Sequence, residues 1–109
     1  MSITFREDHK LVIENLVSDI PGVKVGKAFG YPAFKVNGKM FAFVGGDGIG
    51  IKLPAERVQA LIDSNAAFTP FEPVEGTIWR EWVSITRNIS EDYRQDADLL
   101  EEALLFVAG

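Results

Sequence analysis

There is no cysteine in the chain, so disulfide bonds, thiol catalysis and thiolate metal sites are all excluded. Histidine occurs once, as His9, at the start of the first predicted helix and with no partner in the pattern, so a structural role is expected for it rather than that of a general base or ligand. No apolar run approaches the roughly 18 residues a membrane span needs, and the N-terminus lacks the charged-then-apolar pattern of an export signal. A cytoplasmic protein without a membrane partner is expected. No two carboxylates can be assigned to an enclosed cleft where their pKa values would be driven apart, so neither an enzyme nor a cofactor is expected.

What is present suits a single domain over residues 1–109. The chain is long enough to bury a core without staples, and its 47% hydrophobic and 25% charged residues are ordinary for a globular protein. Charge is unevenly distributed. Residues 1–54 hold seven Lys and Arg against five Asp and Glu, whereas residues 55–109 hold four against eleven. A net charge of −5 disfavours indiscriminate binding to nucleic acid or anionic lipid. Between residues 24 and 52, however, five lysines face one aspartate, leaving room for a local basic patch.

The stretch from Phe29 to Pro54 organises the rest. Asn37-Gly38 separates two apolar runs and is the preferred pair for a two-residue type I′ turn, because both positions need positive φ. An unbroken register then sets Val36 opposite Lys39, Lys35 opposite Met40, Phe34 opposite Phe41 and Ala33 opposite Ala42. Phe34, Val36, Phe41 and Phe43 fall on one face, expected to be the core, and Ala33, Lys35, Met40, Ala42 and Val44 on the other. Parity also bears on the next turn. A three-residue loop, Gly46-Asp47-Gly48, puts Ile51 opposite Phe43 and Leu53 opposite Phe41, gathering the large apolar groups, and is expected over a two-residue loop. The Gly-x-Gly spacing here is followed by an alternating strand rather than a helix, so it is a turn and not a phosphate cradle.

Elsewhere, Ile13, Leu16, Val17 and Ile20 form the stripe of an amphipathic helix over about 7–20, ended by Pro21-Gly22. A strand over 23–29 follows, with Gly30-Tyr31-Pro32 bending the chain back. Pro54 opens a second helix with Val58, Leu61 and Ile62 buried. Residues 65–76 read as an irregular loop pinned by Phe68 and Phe71. A strand over 77–86 places Trp79 and Trp82 on opposite faces, and Ser90 or Asn88 caps a final acidic helix with Leu99, Leu100, Ala103, Leu104 and Val107 inward. The class is α+β, a two-layer plan with helices on one face of an antiparallel sheet.

Phe29 to Phe43, then Gly48 to Pro54 followed by a helix, the Pro-Phe-Glu-Pro loop, the Trp-x-x-Trp segment and the acidic last helix together resemble the YjbR (MmcQ) proteins and the related N-terminal domain of TfoX/Sxy. The resemblance runs from about Lys27 to the end and rests on fold-determining aromatics, glycines and prolines. It implies a frataxin-like, double-wing architecture and a DNA-associated or transcription-accessory role, with no catalytic residues to carry across. TfoX proteins have a second domain that does not follow Gly109, so a competence-regulating role is not expected.

Three binding surfaces are expected from these readings. The first is a lysine-bearing sheet face for nucleic acid, with Lys35 and Lys52 on phosphates and Lys24, Lys27 and Lys39 in support. The second is a protein-interaction or self-association surface of Met40, Ala42 and Val44, and the third a small-ligand site between the sheet and the 65–76 loop. Asp92 and Asp96, one helical turn apart, have oxygen ligands suited to a cation, but a solvated helix face is the expected role and no metal is assigned.

Overall fold

The structure, a computed structural model, describes residues 4–109. The first helix, α1 (Glu7–Val17), carries Glu7 and Asp8 in its first turn, where the helix dipole favours acids, and buries His9, Val12, Ile13 and Val17. It stops short of the predicted end at Ile20, because a residue preceding proline is pushed out of the helical region and Gly22 then takes a φ of +87°. Leu16 and Ile20 still pack against the core.

Four strands follow as a meander: β1 (Val23–Ala28), β2 (Tyr31–Val36), β3 (Lys39–Gly45) and β4 (Gly48–Lys52). The helix α2 (Ala55–Ser64) begins directly after Pro54 and buries Val58 and Leu61. The chain then returns through β5 (Phe68–Pro70) and β6 (Trp82–Ile85) to complete a six-stranded antiparallel sheet in the order β1-β2-β3-β4-β6-β5. A 3₁₀ stretch, Ser90–Asp96, leads into α3 (Ala97–Ala108). The helices lie on one side of the sheet, with α3 over β3 and β4, so the two-layer α+β plan stands. Among the described residues no helix is long and apolar enough to cross a membrane.

The Asn37-Gly38 turn has positive φ at both positions, 54° and 78°, and pairs Val36 with Lys39 and Lys35 with Met40 as predicted. The register then shifts. Phe34 pairs with Ala42 and Ala33 with Phe43, so Phe41 is an extra residue on β3. This bulge lets two consecutive residues, Phe41 and Ala42, point into the core, and it reverses the parity of the rest of the strand. Ala42 and Val44 therefore lie inside, while Phe43 stands on the face without helices.

The expected three-residue loop gives way to a two-residue one for the same reason. Gly45 pairs with Gly48 around Gly46-Asp47, placing Ile49 beside Val44 and Ile51 beside Ala42. With parity reversed, that is the inward face, and all four are buried. Gly46, at a φ of +58°, occupies the first loop position, where a type II′ turn requires positive φ.

The core between sheet and helices gathers Phe34, Phe41, Ile51, Leu53, Val83, Ile85 and Leu100, with Ile13 and Val17 from α1. Tyr93 and Asp96 come inward together because the three-residue period of a 3₁₀ stretch puts i and i+3 on one side. Asp96 is bound bidentately by Arg87, with Nε donating to Oδ2 and Nη2 to Oδ1, both at 2.8 Å.

Candidate binding face

Directly opposed residues share a face, so the strand pairing assigns each lysine. Lys24 pairs with Lys35, Lys35 in turn with Met40, and Lys52 with Trp82. These three lysines stand on the helix-free face. Lys27 pairs with Pro32 and Lys39 with the core residue Val36, which puts both at the margin of the helix-covered side. The pairing thus sets Lys24, Lys35 and Lys52 on one face and turns Lys27 and Lys39 toward the other, although Lys39 also borders a hollow with Met40 and Lys52. None of the five makes an ion pair among the described residues, although Lys10 on α1 lies 3.7 Å from both Glu7 and Glu14. Lys35 and Lys52 are half-buried, whereas Lys24 is exposed.

The predicted interaction surface is corrected more strongly. Ala42 and Val44, at 1% and 0% exposure, belong to the core and can meet no partner. Met40 alone remains at the helix-free surface, half-buried.

Beside the lysines the same face carries aromatic rings. Phe43 packs on Phe71 at 5.2 Å between centroids and on Trp82 at 5.5 Å, and Phe71 meets Trp79 edge-on at 5.6 Å. The strand expected over 77–86 starts only at Trp82. Before it, the Trp79 amide donates to the Phe71 carbonyl and the Trp82 amide to the Trp79 carbonyl, each at 3.0 Å. That turn brings both indoles to Phe71 on one face rather than setting them on opposite faces. Trp82 is buried beneath the cluster, and Trp79 stays 42% exposed.

The segment expected to be an irregular loop is pinned on both sides of the sheet, with Phe68 in the helix-side core and Phe71 in the aromatic cluster. Between residues 71–74 and the sheet runs a groove of about 560 Å³ walled by Tyr31, Met40, Phe43, Phe71 and Trp79, with Phe29 at its rim. Phe29 had no place in the sequence-based site. Its signal was the Phe29-Gly30 pair, which forms a two-residue turn closed by Ala28 and Tyr31, with φ of 54° and 87°.

The remaining polar cluster is enclosed. His9 and Tyr93 are fully buried, edge to face at 4.7 Å, with His9 Nδ1 3.5 Å from the tyrosine oxygen. That oxygen donates to the Ile85 carbonyl at 3.2 Å and accepts from the Arg87 amide at 3.1 Å. Burial, with a smaller push from the Arg6 charge, holds the His9 imidazole below its ordinary pKa, and burial raises that of the Tyr93 hydroxyl. The cluster joins α1 to the 3₁₀ stretch. Asp96 is committed to Arg87 instead of facing a cation with Asp92, and no group of three metal-ligating side chains occurs among the described residues.

The YjbR family model matches residues 18–105, which takes in all six strands, α2 and most of α3. The chain belongs to the YjbR family. No curated protein and no solved structure matches it. The YjbR match covers both the lysine row and the aromatic groove, so the helix-free face is built within the family's domain.

Proposed function

We propose that this protein is a non-enzymatic nucleic-acid-binding domain whose helix-free sheet face receives the phosphate backbone on Lys24, Lys35 and Lys52. The observation that carries this reading is the cross-strand pair of Lys24 and Lys35. Like charges directly opposite each other destabilise a sheet, and neither is relieved by an acid among the described residues. In a protein of net charge −5, a solvating role would be served as well by residues of either sign. An anion lying across the pair turns the repulsion into attraction. Lys52 continues the positive row on the same face beyond Met40.

The test is a fluorescence-anisotropy titration of labelled DNA at about 50 and 200 mM salt, with the wild type beside a Lys24→Glu/Lys35→Glu/Lys52→Glu variant. The proposal expects binding that weakens with salt and is lost in the variant. Absence of binding at the lower salt, or equal binding by the variant, overturns it.

A further inference from the structure

The groove beside the lysine row adds a requirement on the ligand that the phosphate contacts do not. Met40 joins the two, since it stands directly opposite Lys35 and also forms part of the groove wall. A ligand anchored on the lysines therefore passes the rings. At the rim, Phe29 is 86% exposed and Trp79 is 42% exposed. Phe29 also holds a φ of 54°, a conformation that asparagine or glycine adopts with far less strain. A phenylalanine that is strained and almost wholly in solvent is not accounted for by packing within the fold. The one charged wall residue, Glu72, is turned into its own loop, where its Oε2 accepts from the Gly76 amide.

Flat apolar faces next to unpaired cations match a ligand that carries both a π surface and a phosphate. Bases in a duplex already stack on one another, whereas those of a single strand have their faces free. We infer that this face takes single-stranded nucleic acid, with bases stacked against Phe29 and Trp79 while the backbone follows the lysines. This rests on the phosphate reading above. Stacking of this kind tolerates any base, because every base has a π face.

The experiment compares three labelled ligands of one length at low salt: a single strand, the same strand with abasic sites throughout, and the duplex. The full strand is expected to bind roughly 5- to 100-fold tighter than the abasic one for each base stacked. Trp79→Ala and Phe29→Asn should each weaken the full strand towards the abasic value and leave the abasic strand unchanged. Phe29 lies at a solvent-exposed tip, so its variant reports even if Trp79→Ala fails to fold. Equal affinity for full and abasic strands, with the lysine variant still weakening both, overturns stacking and leaves phosphate binding standing. Tighter binding of the duplex than of the single strand also overturns the inference. If no ligand binds, the phosphate reading falls with it.

Discussion

Phe43 lies directly over Gly50: a β-carbon at position 50 would stand 2.3 Å from Phe43 Cε1 and 2.5 Å from its Cζ. Phe43 is itself packed against Phe71 and Trp82, so displacing the ring disturbs the aromatic cluster. The absence of a side chain at one position on β4 thus lets the aromatic groove sit flat on the sheet. Gly50→Ala is expected to lower stability by about 1–3 kcal/mol through overpacking. Gly26→Ala, on the same face and with nothing within 4 Å of its new β-carbon, should change stability by no more than about 0.5 kcal/mol. Urea unfolding of the two variants checks the contrast.

Phe29 is expected to oppose stability and binding to each other. Asparagine tolerates the left-handed conformation that Phe29 holds, so Phe29→Asn should raise stability by about 1 kcal/mol while weakening single-strand binding. A ring present only for packing would produce the reverse on unfolding, a loss of stability.

His9 gives the fold a pH dependence with a definite sign. The unfolded chain takes up a proton near the ordinary pKa of 6.5, whereas the buried ring does so only at lower pH. Between the two the unfolded state binds more protons, so stability falls as pH drops below about 6.5 and levels off beneath the folded-state value. Melting temperatures between pH 7 and 5 should show this decline, and His9→Phe, which fills the site without titrating, should remove its share of the slope.

Removing one partner of the Arg87–Asp96 pair leaves the other charge with little solvent, since the side chains are 13% and 2% exposed. Asp96→Ala is expected to cost about 3 kcal/mol or more by chemical denaturation. The Arg87→Ala/Asp96→Ala double variant should lose less than the sum of the two single changes.

Much of the architecture was legible because local chemistry and global pattern agree. Asn37-Gly38 dictated its turn, Pro54 its helix start, and the stripes of α1, α2 and α3 their buried sides. The candidate site was less legible, and a single residue explains most of the difference. Nothing in the run Lys39 to Gly45 marks Phe41 as a bulge, because five successive apolar residues, Met40 to Val44, are consistent with either register until the partner strand is in place. Taking the register as unbroken turned Phe43 inward, Ala42 and Val44 outward, and demanded an extra loop residue at Gly48. The turn at Trp79, which gathers two indoles on Phe71, was hidden similarly: Trp79 to Thr86 alternates well enough for a strand, and only the bonds to Phe71 and Trp79 carbonyls break it. Lys24, Lys35 and Lys52 were recoverable as binding candidates from charge alone; their sharing of one face, and the turning of Lys27 and Lys39 toward the other, needed the pairing of strands.

The proposed binding surface is the helix-free sheet face. Its place is read residue by residue from amide chemical shifts when a short single-stranded oligonucleotide is added to isotope-labelled protein at low salt. The shifts are predicted to cluster at Lys24, Lys35, Met40, Gly50 and Lys52, together with the indole N–H of Trp79, and to leave α1 and α3 unmoved. Shifts confined to the helices, or none at saturating strand, would contradict it.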